Sequence, residues 1–320
     1  MSRHNVSCIQ ENETICETYR LLEKSLRPNK NGVLFLQFLL NDRTGSVAGR
    51  YWNATEEFSN LFENGDFVKC EGRVQRFQGA LQVIVTKMTK VDPAEIEAED
   101  FSAGNVVDSA ALTRRLTELF QTLRTPQLVS LVNAFLLDGD FMLRFTRSFA
   151  GVRLHHAYQG GLLEHTVNMM ELALRVGEQY KHIVNSDLLL VGAFLHDIGK
   201  VQELSDDPIA PVYTDEGQAL GHPYLGAEML SRKIMEVEAT TGEDFDPKLA
   251  TTLKHMILSH PGELNFGAAK TPMSREAIAL HFIDSLDAKL NEFQKCIMED
   301  PNLGAAWTNY IPALDRKLMK

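Results

Sequence analysis

The chain has 320 residues, 44% of them hydrophobic and 23% charged, with a formal net charge of −11. That balance excludes a disordered or fibrous polypeptide and leaves room for more than one domain with its own core. The charge argues against a simple basic surface for nucleic acid, yet residues 1–90 hold 12 Lys and Arg against 10 Asp and Glu, so the acidic excess lies wholly in the remainder.

Strand signals dominate residues 30–90. "GVLFLQFLL" is rich in β-formers, "NDRTGS" is a turn, and "VAGRYW" resumes an extended pattern. "DFVKCEGRVQRF" and "ALQVIVTKM" are joined by a tight turn containing Gly79, a hairpin signal, and a short helix fits Glu56–Phe62. About five short strands in this length predict a small OB-fold barrel. Barrels of this kind hold single-stranded nucleic acid on aromatic platforms beside basic residues. Tyr51, Trp52 and Phe77, with Arg50, Arg73 and Arg76, are the candidates here, and each aromatic has the barrel core as its alternative place.

The acidic stretch "VDPAEIEAED" reads as a linker. Residues 107–150 turn helical, with a break at Pro126, and their Phe135, Phe141, Phe145 and Phe149 are expected to pack against the C-terminal half of the chain. From 151 onward apolar positions recur at helical spacing, as in "HTVNMMELALRV" and "REAIALHFIDSLDAKLNEF". The expected fold is therefore multidomain α+β: a barrel over 1–92, a linker and helical connector over 93–150, and an all-α domain over 151–320. The apolar connector predicts a homo-oligomer.

The longest apolar run, Leu188–Leu195, is too short to cross a bilayer, and the opening residues lack the apolar segment of a signal peptide. Cys8, Cys16, Cys70 and Cys296 form no CxxC pair and read as reduced thiols. A cytoplasmic protein with no membrane partner is expected.

Five motifs in the helical half place His or Asp where an apolar core does not want them. "GGLLEHT" sets His165 near the start of a helix. "LHDIGK" sets His196 and Asp197 near the end of another. "LGHPYLGAE" puts His222 at a helix start before Pro223, and "LSHPGE" puts His260 at a helix exit. "HFIDSLDAK" carries Asp284 and Asp287 on one helix face. Helix ends let imidazoles and carboxylates converge while the helix bodies pack behind them. Imidazole and carboxylate without cysteine suit a hard-to-borderline divalent ion rather than a structural zinc. Asp197, adjoining a ligand histidine, is placed to bridge two ions, which would activate a shared water and steady a phosphoryl oxygen.

These strings, with the longer "HHAYQGGLLEHT" and "FGAAKTP", resemble the HD-domain phosphohydrolases. With a barrel ahead of them the chain resembles the YhaM family of 3′→5′ exoribonucleases. The resemblance implies His165, His196, Asp197 and Asp284 as ligands of one ion, with His222 and His260 holding a second and Asp197 bridging. It implies Lys200 as a charge for a substrate phosphate and manganese as the favoured metal, although the ligand types do not select it over iron, cobalt or zinc. Asp287 is expected to support the cluster rather than join it, and His155 and His156 are either substrate contacts or ordinary buried residues. Where relatives read "SHHG" this chain has "SHPG", and Pro261 cannot ligate, which puts the second ion in question. The expected activity is metal-dependent hydrolysis of single-stranded RNA, and in the same groove single-stranded DNA, from the 3′ end to nucleoside 5′-monophosphates. Asp197 and Lys200 are its catalytic candidates. Two rivals fit the residues: a nucleotide or cyclic-nucleotide phosphohydrolase, for which the aromatic barrel has no use, and a non-catalytic nucleic-acid-binding scaffold.

Overall fold

The computed structural model describes residues 3–77, 79–97, 100–101, 107–151, 158–207, 211–298, 300, 302 and 304–320; His155 and His156 lie outside them. The chain divides into two compact units, Met1–Asn105 and Val106–Lys320.

In the first unit β1 (Thr14–Pro28), β2 (Leu34–Asp42), β3 (Gly45–Trp52), β4 (Phe67–Phe77) and β5 (Ala80–Val91) close a barrel in the order β1-β2-β3-β5-β4. The β3–β5 contact is parallel and the others are antiparallel. Alternation sorts the faces: Leu36, Phe38 and Leu40 of β2 point into the core with Val83 and Val85 of β5. The helix α1 (Glu56–Ser59) is one turn shorter than its sequence suggests and is capped by Thr55, whose hydroxyl accepts from the Phe58 N–H.

β1 lies upstream of the strand signals that the sequence displays. Its pairing with β2 shifts register between Leu22 and Ser25, and Glu23 there takes φ 53°. A bulge breaks the two-residue period, so "TICETYRLLEKSLRP" does not look like one strand. Past β5 the acidic stretch ends against the barrel: the Arg43 N–H donates to the Asp100 carbonyl and Phe67 meets Phe101 edge-on.

The second unit is helical: α2 (Ser109–Phe120), α3 (Pro126–Leu136), α4 (Gly139–Phe145), α5 (Gly161–Gln179), α6 (Ser186–Leu195), α7 (Lys200–Glu203), α8 (Asp215–Leu220), α9 (His222–Thr241), α10 (Pro247–Ser259) and α11 (Arg275–Met298). One apolar core runs from Leu116 of α2 to Ile283 of α11. The connector aromatics belong to it: Phe120, Phe135, Phe141 and Phe145 surround Phe194 of α6 with ring centroids 5.1–6.4 Å away. Phe149 is buried as well. Helix α6 is apolar on every side and fully enclosed from Leu188 on, so the connector props up the helix that ends in the His–Asp pair. Among the described residues no helix is long and apolar enough to cross a membrane.

Candidate metal centre and nucleic-acid interface

Four helices deliver the histidines to one place. His196 caps the C-terminus of α6, and its Nδ1 lies 2.8 Å from the Ala193 carbonyl of the same turn. His260 repeats this at the end of α10, with Nδ1 2.7 Å from the Ile257 carbonyl. His222 is the first residue of α9; Gly221 before it takes φ 74°, a turn that a side chain resists. His165 sits one turn inside α5, and its Nδ1 is 2.7 Å from Asp287 of α11.

Every Nδ1 thus faces an acceptor: two carbonyls, Asp287, and Glu203 at 3.0 Å from His222. A neutral imidazole has one N–H, so a donating Nδ1 leaves Nε2 as a lone pair. The Nε2 atoms meet head-on, His165 with His196 at 3.2 Å (the inner pair) and His222 with His260 at 3.3 Å (the outer pair). Asp197 lies between them. Its Oδ2 is 3.7 and 3.4 Å from the inner pair, its Oδ1 3.3 and 3.6 Å from the outer pair. Asp284 adds an oxygen 3.3 Å from His165 and 3.9 Å from His196. Facing lone pairs and carboxylates repel unless something positive stands among them. Ligands about 2.1 Å from an ion stand roughly 3.0–3.5 Å from one another; five of these spacings match, and three, at 3.6, 3.7 and 3.9 Å, are somewhat longer. Asp197 Oδ1 is buried and has no hydrogen-bond partner among the described residues, which singles out the outer pair as a place for a cation. The donor set fits divalent metal on both sides of Asp197.

The protonation pattern differs between the pairs. Burial opposes charge on His165, but Asp284 and Asp287 outweigh it and push its pKa up to about 9. Burial and the neighbouring His196 push His260 down to about 3. Although burial works the other way, Lys200 and His196 hold Asp197 well below the usual carboxylate range. His165 therefore carries a proton when no ion is bound, while His260 offers bare nitrogen.

All six ligand candidates come together. Lys200 joins them on a side chain 11% exposed, its ammonium 2.6 Å from Asp197 Oδ2. Asp287 stands behind His165, not among the facing atoms. Glu203 was not singled out by the sequence. No sequence pattern marks it; its enclosure behind His222 does.

On the barrel, the structure gathers only some of the aromatic and basic candidates. Arg50 and Trp52 point outward from β3, and the Arg50 guanidinium carbon lies 5.7, 5.8 and 5.0 Å from the ring centres of Phe35, Trp52 and Phe77. Phe35 pairs with Trp52 across β2 and β3, their rings 5.0 Å apart. Trp52 and Phe77 are 40% and 44% exposed. Tyr51 is on the opposite face, stacked on Phe58 and packed against the barrel core. Arg73 is exposed on β4, and Arg76 is tied to Glu11 and the Gly79 carbonyl. Phe35 was hidden in a continuous apolar run.

Fold and site together define an HD-domain metalloprotein that carries an OB-fold barrel. Residues 162–289 match the family model described as HD domain, and residues 21–91 match the one described as OB-fold nucleic acid binding domain. The 3′-5′ exoribonuclease YhaM of Geobacillus sp. (strain WCH70) is 32% identical over 269 residues, 83% of this chain and 80% of that protein. The proteins of the same name from Listeria innocua serovar 6a and Bacillus subtilis (strain 168) are 32% and 30% identical, over 89% and 88% of this chain and 88% and 87% of their own lengths. The chain belongs to the YhaM family of 3′-5′ exoribonucleases.

Proposed function

We propose that this protein is a metal-dependent 3′→5′ exoribonuclease that hydrolyses single-stranded RNA, with single-stranded DNA as a further substrate, to nucleoside 5′-monophosphates in the cytoplasm. The observation that carries the reading is the unpartnered Asp197 oxygen among four inward-facing imidazole nitrogens, in a chain whose relatives bear that activity by name.

His165, His196, Asp197 and Asp284 would hold one cation, and His222 and His260 with the other Asp197 oxygen a second, manganese being the favoured ion. When bound, such ions supply an activated water and neutralise charge on a phosphoryl oxygen. Asp197 keeps the two halves in register by turning one oxygen to each. Lys200 is paired with Asp197 and brings a fixed positive charge to the edge of the cluster for the phosphate. On the barrel, Trp52 and Phe77, aligned by Arg50, stack bases of the strand whose 3′ end is being cut.

Purified protein with manganese should shorten a 5′-labelled single-stranded RNA from its 3′ end and stop on chelation. Asp197→Ala should abolish cleavage, by 10³-fold or more on the order of magnitude seen when a metal centre loses a bridging group, while RNA binding persists. Cleavage unchanged in that variant sinks the reading.

The homo-oligomer is carried over to a different surface. The connector phenylalanines are spent on the unit's own core, whereas Ile278, Phe282, Leu286 and Leu290 form an exposed ridge along α11 at four-residue spacing. Sedimentation velocity of wild type and Phe282→Glu should show association in the first and its loss in the second.

A further inference from the structure

The two histidine pairs are oriented by the same logic but from different resources. In each, one imidazole is set by the carbonyl of its own helix end and the other by a carboxylate: His165 by Asp287, His222 by Glu203. The inner pair also has Asp284. The outer pair is followed by Pro261, which cannot ligate, so an ion there meets the imidazoles of His222 and His260 and one shared carboxylate oxygen.

Glu203 is 7% exposed, and the proposed hydrolysis does not use it. Its Oε1 accepts the backbone N–H of His222 at 2.8 Å and the Nδ1–H of the same residue at 3.0 Å. One oxygen therefore fixes where α9 begins and which nitrogen of its first side chain carries the proton. A carboxylate behind an imidazole also raises the basicity of the far nitrogen, here the Nε2 facing Asp197 Oδ1. Glu203 is itself clamped. Its carbonyl accepts from the Thr214 N–H at 2.9 Å, and α8 packs so close that a Cβ on Gly217 would lie 2.2 Å from that carbonyl oxygen. Packing against α8 thus fixes the backbone of Glu203, and its carboxylate is held by the two bonds to His222.

We propose that Glu203 is a positioning residue that decides whether the outer pair holds a cation, acting through His222 and never touching the ion. The proposal rests on the two-ion reading of the site.

The test is manganese binding to the intact protein by equilibrium dialysis, with electron paramagnetic resonance to tell an exchange-coupled pair from a single ion. Wild type should take up two ions and give the coupled signal. Glu203→Ala should weaken the outer ion by about 10–100-fold and lose that signal, leaving the inner affinity unchanged. Glu203→Gln, whose amide oxygen still accepts both N–H groups, should keep the pair. Asp287→Ala should weaken the inner ion instead. Two ions with wild-type affinities in Glu203→Ala, or equal loss of both in a cooperatively melting variant, overturns the assignment of Glu203 alone. Uptake of one ion by wild type removes the two-ion reading and the proposal with it. Should Glu203→Ala not melt cooperatively, Glu203→Asp decides. It keeps the charge but falls a methylene short of His222, so an unweakened outer ion there also overturns the proposal.

Discussion

Lys200 brings a full positive charge into a site already crowded with imidazoles, and its bond to Asp197 explains why the site tolerates it. Burial works against the charged ammonium, but Asp197 more than offsets this and keeps the lysine protonated. Lys200→Met leaves every metal ligand in place and removes one fixed charge facing the phosphate. Manganese content should stay at the wild-type level while kcat falls by about 10²–10³-fold, the usual loss when one donor to developing charge is removed. Loss of the metal instead would make Lys200 a structural counter-ion. The ligands at this scale were legible because polar residues at helix ends stand out against apolar periodicity. His165, His196, His222, His260 and Asp284 each broke a pattern. Glu203 broke none, since an acid after a lysine on a polar turn looks like surface, and only the fold shows it enclosed behind His222.

At the level of elements, the centre depends on how closely α7 and α9 approach. Gly199, just before α7, has ordinary helical angles, so backbone freedom is not what it supplies. A Cβ there would lie 2.1 Å from the His222 carbonyl oxygen and 2.6 Å from the Gly226 nitrogen. Both are backbone atoms of the start of α9 and cannot rotate aside. Gly199→Ala must therefore push α9 and His222 away from Asp197. Overpacking of this kind costs about 1–3 kcal/mol, a fall of several degrees in melting temperature for a unit of this size. The outer ion should weaken more than the inner, read by manganese titration beside a thermal melt; an unshifted melt with wild-type binding would show that the helices have slack. Sequence periodicity found the helices of the second unit and most strands of the first. It missed β1, because the bulge at Glu23 and five charged residues blur its alternation, and pairing with β2 and β4 on both sides makes it a strand all the same.

Across the whole molecule, the proposed reading has the two units divide the work between holding a strand and cutting it, and the charge distribution is consistent with that division. The acidic excess belongs to the residues after 90, so affinity for RNA cannot come from overall electrostatics and must come from local contacts on the barrel. Among the contacts available are stacking ones: Trp52 and Phe77 are exposed, 5.8 and 5.0 Å from the Arg50 guanidinium carbon, with Phe35 tilted against Trp52. Base–aromatic stacking contributes about 1–3 kcal/mol per base, so Trp52→Ala and Phe77→Ala should each weaken binding of a long single strand by roughly 5–150-fold. Because neither residue belongs to the metal centre, the loss should fall on KM and leave kcat within about twofold, as for removal of uniform binding. A dinucleotide, held in this reading by the metal centre alone, should be cut by the variants and the wild type at equal rates. Tyr51→Phe is the control within the same strand, since that ring packs on Phe58 against the core and should leave KM unchanged. If the variants instead lose kcat on long and short substrates alike, the aromatic cluster holds the barrel together and the strand is bound elsewhere.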